Sequence, residues 1–335
     1  MRSRKTVFCE IAFWDLFSKY YPTSMPFPDD QSQQRIRAWF GLYSFLSRSR
    51  IIFNLSEADF IVKVNNDTRL KYLWKKATEG QCKIDFDSGV FIPFNDSERF
   101  LTSVVLTKDN FESKCADYGI ININESNFSI KSQLFIDNGV AIRNGEEWDW
   151  CSIKDHMVEK ESNSMVIVDN YIFGREKHNL YRLLDSILPS KCSVPYHLSV
   201  FYLIDREYQA ETLIKSERDF RDNLKRIRPT LNCSVEFFQT KRDQNNAYKT
   251  DFHDRALITN NIWIDSGAGF LISERRFENC MQKYYSTKST TIRIAYPFFC
   301  SDNVKSVDEG YTNLIEDAKK SILRMGKTTS NRLLG

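Results

Sequence analysis

The first half of the chain consists of short apolar runs separated by longer segments with helical spacing. The runs TVFCEIAF, RIIFNL, RFLTSVVLT and IININ are rich in β-branched and aromatic residues, as buried strands are. Between them, RIRAWFGLYSFLSRS places Ile36, Phe40 and Tyr43 on one helical face, and SEADFIVKV, DTRLKYLWKKATEG and KDNFESKCADYG have the features of further helices. Strands that alternate with helices predict a parallel sheet with helices on its faces, so the expected fold class is α/β.

Local polar residues predict where some of these helices begin and end. Ser56 and Asp59 form a Ser-x-x-Asp capping pattern at the start of SEADFIVKV. Gly80 and Gly119 follow two helical segments and are expected to stop them.

The second half repeats the alternation after a polar, acid-rich segment at residues 143–164. SMVIVDNYIF, YHLSVFYLI, CSVEFFQT, DFHDRALIT and NIWIDS are interpreted as strands, and HNLYRLLDSILP and EYQAETLIKSERDFRDNLKRIRP as helices. A chain of 335 residues exceeds the usual size of one core. We therefore expect two α/β domains, at residues 1–160 and 161–335.

The long helix predicted over residues 207–228 is strongly charged. It interleaves basic residues with acids that include Glu217, Asp219 and Asp222. Alternating charge of this kind is typical of a helix face in contact with solvent, and a nucleic-acid-binding stripe is the alternative.

Composition excludes several classes of protein. With 41% hydrophobic and 14% aromatic residues the chain is too apolar to be disordered. The sequence contains no apolar run long enough to span a bilayer, and Glu10 and Asp15 interrupt what would otherwise resemble a signal peptide, so we expect a cytoplasmic protein. Its 8 cysteines form no C-x-x-C pair, which argues against a zinc site or a disulfide framework.

Acidic and amide residues lie at the ends of four predicted strands in the first half. Glu10 closes the first strand, Glu57 and Asp59 follow RIIFNLS, and Asp109 follows VVLT. Asn122, Asn124 and Glu125 lie around IININE. The carboxyl ends of parallel strands share one edge of a sheet, where such folds bind ligands. Carboxylates gathered there repel one another unless Mg²⁺ or Mn²⁺ neutralises them, and such a metal can activate water against a phosphodiester. The sequence thus predicts a metal site built from Glu10, Asp109 and either Glu57 or Asp59.

The segment FLTSVVLTKDNFESKCADYGIININ, residues 100–124, resembles the PIN-like nuclease domain in its succession of strand, Thr-x-Asp, helix, Tyr-Gly and strand. The resemblance extends over residues 5–130. It implies a metal-dependent nuclease acting on RNA or DNA, with Asp109 as a metal ligand. Glu10 stands where the family has its first aspartate and is longer by one methylene group.

A structural role is the alternative for each acid. Asp109 could cap the helix expected to begin near Phe111, and Glu57 and Asp59 stand at a helix start of their own. Glu10 lies inside an apolar run and needs a polar partner if it is buried.

A second candidate site lies in FHDRALITNNIWIDSGAGF, residues 252–270. This stretch resembles the phospholipase D superfamily motif His-x-Lys-x4-Asp, with His253 as the nucleophile, Arg255 in place of the lysine and Asn260 in place of the aspartate. Arginine retains the charge that binds phosphate, whereas the loss of the acid weakens catalysis. The resemblance implies phosphate binding by these three residues. The alternative is a structural corner in which Asp254 pairs with Arg255 or a neighbour.

These observations predict a metal-dependent nuclease whose second domain binds phosphate in a nucleic-acid substrate or docks a protein partner. Joined modules of this kind resemble effectors of bacterial defence or toxin systems. Two alternatives remain open. One is a non-enzymatic adaptor in which both sites have decayed, and the other is a homodimeric phospholipase D-type nuclease that supplies two copies of His253.

Overall fold

The protein forms two compact units, residues 1–138 with 296–304 and residues 139–295 with 305–335. Both units combine helices with a β-sheet, which confirms the predicted α/β class. The computed structural model describes residues 5–19, 30–88, 102–136, 140–142, 157, 160–169, 172–173, 177–203, 210–240, 255–266, 273–278, 281–286, 292–296, 299, 316, 322–325 and 331–334.

The first unit contains a sheet whose described strands are β1 (Thr6–Cys9), β2 (Arg50–Phe53), β3 (Lys83–Phe86), β4 (Thr102–Leu106) and β5 (Ile121–Ile123). Their order across the sheet is β3-β2-β1-β4-β5, and all neighbours are parallel. This confirms the parallel sheet predicted from the alternation. The chain adds β2 and β3 on one side of β1 and then returns to add β4 and β5 on the other side.

Helices connect these strands. In the described part of the first unit they are α1 (Ile11–Lys19), α2 (Asp30–Leu46), α3 (Glu57–Asn66), α4 (Thr68–Thr78), α5 (Glu112–Ala116) and α6 (Phe128–Lys131), followed by a 3₁₀ helix at Ser132–Phe135. The Ser56 side chain accepts a hydrogen bond from the Asp59 amide, as the capping pattern predicts. Gly80 and Gly119 follow α4 and α5 with φ of 75° and 66°, a left-handed conformation that suits glycine, which confirms both predicted stops.

The first predicted strand is too long. TVFCEIAF does not form one strand, because β1 ends at Cys9 and α1 begins at Ile11. The Ile11 amide donates to Asn54 Oδ1 at 2.8 Å, so a residue beyond β2 satisfies one of the first amides of α1. Phe13 and Phe17 of α1 are buried, which accounts for the apolar character of this segment.

The core of the first unit follows from the register of its central strands. Phe8 pairs with Ile52 on one side and with Val105 on the other, so the three side chains lie on one face of the sheet. Cys115 and Ile120 cover that face. The residues of β1 are buried throughout, as expected for a parallel strand with both faces covered.

Asp67 joins α3 to α4 and is held by several hydrogen bonds. Its Oδ2 accepts from Trp14 Nε1 at 3.0 Å, and its Oδ1 accepts from the amides of Arg69 and Leu70 at 2.8 and 3.2 Å. Burial alone would raise the pKa of Asp67, but these hydrogen bonds and the charge of Arg69 lower the pKa overall, below the ordinary value of 3.8.

Asp67 should make the stability of the protein sensitive to acid. Because its pKa is lower in the folded than in the unfolded chain, it stabilises the fold above the unfolded value, and this contribution is lost as the pH falls through the folded pKa. We expect the free energy of unfolding of Asp67→Asn, measured by urea denaturation, to fall less than that of the wild type between about pH 5 and pH 2. Val62→Ala, which changes an exposed side chain of α3 without a titratable group, should show the acid sensitivity of the wild type. Equal acid sensitivity in Asp67→Asn and the wild type would contradict this role.

The second unit is built around a mixed sheet. Its described elements are β6 (Val140–Ile142), β7 (Ser164–Val168), α7 (Lys177–Ile187), β8 (Tyr196–Leu203), α8 (Ala210–Ile227), β9 (Cys233–Thr240), β10 (Arg255–Thr259), β11 (Trp263–Ser266), β12 (Ser273–Glu278), β13 (Met281–Ser286), β14 (Ile292–Ala295) and β15 (Ile322–Met325). The order of the main sheet is β15-β9-β8-β7-β10-β11-β14-β6, and β12 pairs only with β13 among the described strands. The neighbours β7, β8 and β9 are parallel, and the other pairs are antiparallel. Strand β6 precedes residue 160 and pairs with β14.

The charged helix α8 does not expose all of its acids. Glu217 is only 1% exposed, and its Oε1 accepts from the Tyr202 hydroxyl at 2.5 Å. It lies on the same helical face as the buried Leu213 and Phe220. The sequence interpretation, which placed the charged residues of this helix in solvent, overlooked the burial of Glu217. Asp219 and Asp222 of the same helix are exposed. Among the described helices, α8 included, none combines the length and apolar character needed to cross a membrane.

Candidate functional site

The strand order of the first unit defines a place for a ligand. In an open parallel sheet, ligands bind outside the carboxyl ends of the strands, at the point where the strand order reverses. Here that point lies between the neighbours β1 and β4. Glu10 directly follows β1, and Lys108 and Asp109 lie just beyond the end of β4. Two of the acids predicted from the sequence therefore follow the two strands that flank this point.

Glu10 is bound to the end of β4 through both its backbone and its side chain. Its amide donates to the Leu106 carbonyl at 2.9 Å. Its carboxylate Oε2 accepts from the Lys108 amide at 2.6 Å. The residue is partly exposed, and the polar partner that an acid in this apolar run requires is thus a backbone amide of the neighbouring strand end.

The loop from Thr107 to Phe111 is held from the side of β5 as well. Asn122 donates through Nδ2 to Thr107 Oγ1 at 2.8 Å, and its Oδ1 accepts from the Phe111 amide at 2.9 Å. Thr107 Oγ1 in turn donates to the Asp109 carbonyl at 2.7 Å. With Glu10 on one side and Asn122 on the other, the backbone that carries Asp109 is fixed at several points.

The Asp109 side chain does not cap the following helix. Helix α5 has Phe111 at its N-cap position without a side-chain cap, and the Glu112 amide donates to Asn110 Oδ1 at 2.9 Å. The alternative interpretation of Asp109 as a helix cap is therefore wrong. Asp109 is exposed, and no hydrogen bond or ion pair engages its carboxylate within the described residues. Its carboxylate is available to a ligand.

Three buried asparagines at the end of β5 support this edge. Asn124 Nδ2 donates to Asn122 Oδ1 at 2.8 Å, and Asn127 Nδ2 donates to the Asn122 carbonyl at 3.0 Å. The Asn124 amide donates to Asn127 Oδ1 at 2.9 Å, which closes the network. The sequence analysis places Asn122 and Asn124 at this edge together with the acids, but it misses Asn127. The structure shows that the three side chains bond to one another and to the backbone of the edge, as buried amides require.

Glu57 and Asp59 both lie in the first turn of α3, and the structure distinguishes them. The Asp59 carboxylate accepts from the Ser56 hydroxyl at 2.6 Å, so this side chain belongs to the helix cap. Glu57 is exposed and has no hydrogen-bond or ion-pair partner in the part of the chain that the structure describes. Of the two alternatives for a third acid, Glu57 is the one whose carboxylate is not engaged in a cap.

The donors at this edge suit a hard cation. Carboxylate oxygens are typical ligands of Mg²⁺, which usually binds one or two protein carboxylates and retains several waters. Glu10 and Asp109 provide such a pair. Within the described residues, no group of three or more acidic, histidine or cysteine side chains is gathered closely enough to hold a metal ion. An ion at this edge would therefore have fewer than three such protein ligands from the described residues and would retain several waters.

The second predicted site is only partly described. His253 and Asp254, as well as the side chain of Arg255, lie outside the described residues. Asn260 is fully buried, and its Oδ1 accepts from the amides of Asn163 and Ser164 at 3.1 and 2.9 Å. Its Nδ2 donates to Asn163 Oδ1 at 2.7 Å. The side-chain amide group of Asn260 thus joins the end of β10 to the start of β7.

No model of a known protein family matches the chain, and no curated protein matches it either.

Proposed function

We propose that the carboxyl edge of the parallel sheet binds Mg²⁺ or Mn²⁺ and hydrolyses phosphodiester bonds in nucleic acid. The observation that carries the proposal is the hydrogen bond of 2.6 Å from the Lys108 amide to Glu10 Oε2. Consecutive Cα atoms are about 3.8 Å apart, so this bond brings the Glu10 carboxylate beside the residue next to Asp109. The bond supports a site in which these two acids, at the ends of neighbouring strands, share one ion at the point where the strand order reverses.

Each residue at the edge has a distinct role in this proposal. Glu10 and Asp109 hold the cation, and Glu57 is the acid proposed to join them in place of Asp59. The bound cation would offset the charge of these acids and lower the pKa of a water molecule that it carries. Lys108 has an exposed side chain and can contact a phosphate oxygen of the substrate. Asn122 and Thr107 position the loop.

The second unit is proposed to bind phosphate groups of the same substrate. His253 and Arg255 remain the residues predicted for this role. The buried amide of Asn260 already has partners within the fold, so it is not included in the proposal.

The test is a cleavage assay with full-length protein on fluorescently labelled RNA and DNA, in Mg²⁺, in Mn²⁺ and in EDTA. We expect cleavage that requires the metal and is lost in Asp109→Asn and in Glu10→Gln. Glutamine at position 10 can still accept the Lys108 amide, so this variant removes the charge and preserves the loop. Asp222→Asn alters an exposed acid on α8 and should cleave like the wild type.

Two outcomes would contradict the proposal. Cleavage that persists in EDTA and disappears only in His253→Ala would assign the activity to the second unit. The absence of cleavage of either nucleic acid under all conditions would favour the non-enzymatic adaptor. Titration of Mn²⁺ by calorimetry, compared between the wild type and Asp109→Asn, would show separately whether the edge binds a metal.

A further inference from the structure

A row of stacked aromatic rings runs from the core of the first unit to its surface. Phe17 and Trp39 stack with ring centroids 5.8 Å apart, Trp39 and Tyr43 at 5.0 Å, and Tyr43 and Tyr72 at 6.2 Å. Phe17 is 2% exposed, whereas Tyr72, at the outer end, is 51% exposed. Phe40 is also 51% exposed and meets Trp39 edge to face at 5.4 Å. The row therefore ends at the exposed ring of Tyr72 on α4, and Phe40 on α2 adds a second exposed ring beside Trp39.

Basic side chains surround the outer end of this row. Helix α4 contains Arg69, Lys71, Lys75 and Lys76 and no acidic residue. Lys76 Nζ lies 5.1 Å from the centroid of the Tyr72 ring and donates to the neutral side chain of Gln81.

Two of these cations have no acidic partner among the residues that the structure describes. Lys75 is 3.8 Å from Glu79, the residue after the helix, but within the described residues no acid pairs with Lys71 or Lys76. The local charge is therefore positive, although the net charge of the whole chain is only +3.

Exposed aromatic rings beside unpaired cations match the chemistry of an unpaired polynucleotide. Each base has two flat faces that can stack on a tyrosine ring, and each phosphate carries a charge that lysine can contact. In a duplex those faces are covered by neighbouring base pairs, so the rings would be of little use for binding it. An acidic peptide would satisfy the lysines but has no comparable surface for Tyr72. Charge and ring exposure together therefore favour a single strand.

We propose that the surface formed by Phe40, Tyr43, Lys71, Tyr72 and Lys76, here called the aromatic-basic face, binds single-stranded nucleic acid. One base stacks on Tyr72, at the end of the ring row. Lys71 and Lys76 contact the adjoining phosphates, Lys76 by moving off the Tyr72 ring over which its ammonium lies. The buried part of the row supports Tyr72 through Tyr43, whose hydroxyl donates to the Arg69 carbonyl at 3.3 Å. This surface uses none of the residues assigned to cleavage.

The test measures binding to the full chain in EDTA, so that metal-dependent cleavage cannot interfere. Fluorescence anisotropy is recorded with labelled poly-dT and poly-U of about 15 nucleotides, the length of a large single-strand site, and with a duplex of equal length. We expect the single strands to bind more tightly than the duplex. The comparison of poly-dT with poly-U shows which backbone is preferred.

Variants then separate stacking from charge. Tyr72→Ala should weaken single-strand binding about tenfold, and Tyr72→Phe should retain it, because stacking requires only the ring. Lys71→Gln and Lys76→Gln should each reduce the slope of log K against log salt by about 0.7. Ile130→Ala changes another exposed apolar side chain, on α6, and serves as the control. Thermal melting of every variant should match the wild type, since Lys71, Tyr72 and Ile130 are exposed and Lys76 is partly exposed.

Three results would overturn this inference: unchanged binding by Tyr72→Ala, a duplex that binds as tightly as the single strands, or no binding of any oligonucleotide. The last result would point instead to a protein partner on this surface. None of them bears on the cleavage test, because Asp109→Asn should retain single-strand binding whether or not the edge is catalytic.

Discussion

Replacing Asn122 with alanine is expected to lower the free energy of unfolding by about 3 to 4 kcal/mol, because several buried polar groups lose their partner at once. The side chain is 1% exposed. It donates to the Val105 carbonyl at 3.1 Å and to Thr107 Oγ1, and it accepts from the Phe111 amide and from Asn124 Nδ2. Alanine fills less space and makes none of these bonds. The loop that carries Asp109 would lose its attachment to β5.

The measurement is urea denaturation followed by circular dichroism. Asn66→Ala provides a matched control, since Asn66 is exposed and, within the described part of the chain, its side chain bonds only to the Val62 carbonyl of its own helix. That change should alter the free energy of unfolding by less than about 0.5 kcal/mol. Similar values for the two variants would show that the asparagine network does not hold the edge together.

Gly41→Ala should destabilise the protein by about 2 to 3 kcal/mol, although the same change on an exposed helix would stabilise it by about 1 kcal/mol. Gly41 lies in α2, which packs against the 3₁₀ helix containing Phe135. A Cβ atom at Gly41 would lie 2.5 Å from the Phe135 carbonyl oxygen and 2.6 Å from its Cβ. Neither contact is with the end of a flexible side chain, so the two helices would have to separate.

Gly80→Ala distinguishes steric contact from backbone strain. Gly80 has φ of 75° and no atom within 4 Å of the position of a Cβ, so alanine there costs only the strain of the left-handed conformation, about 1 kcal/mol. We expect the midpoint of urea denaturation to fall further for Gly41→Ala than for Gly80→Ala. A neutral or stabilising effect of Gly41→Ala would contradict the close packing of α2 against the 3₁₀ helix.

The helix ends that were predicted correctly are those whose signals are local. Ser56 and Asp59 are three residues apart, and Gly80 lies two residues beyond the helix end that it marks. The start of α1 was missed because the acceptor for the Ile11 amide is Asn54, 43 residues away. A cap supplied by a distant residue leaves no pattern at the helix start itself.

The candidate site shows the same division between local and distant information. The carboxyl ends of parallel strands lie at one edge of the sheet whatever the order of the strands. Acidic residues that follow predicted strands could therefore be assigned to that edge from the sequence. That Glu10 lies beside Asp109 and not beside some other strand end depends on the pairing of β1 with β4, which the alternation does not specify. The burial of Glu217, by contrast, could have been predicted from the sequence. Its spacing from Leu213 and Phe220 puts it on the apolar face of α8.

The pairing of β1 with β4 has a consequence for the way the protein folds. The hydrogen bond between Glu10 and Lys108 spans 98 positions of the chain. Contacts so distant in sequence form slowly, because the entropy of closing a long loop is lost before the contact stabilises anything. Helices α3 and α4 can form early, but the edge that carries Glu10 and Asp109 exists only after β4 has docked. Ligand affinity at this edge would therefore appear last during refolding, after most of the helical signal has returned.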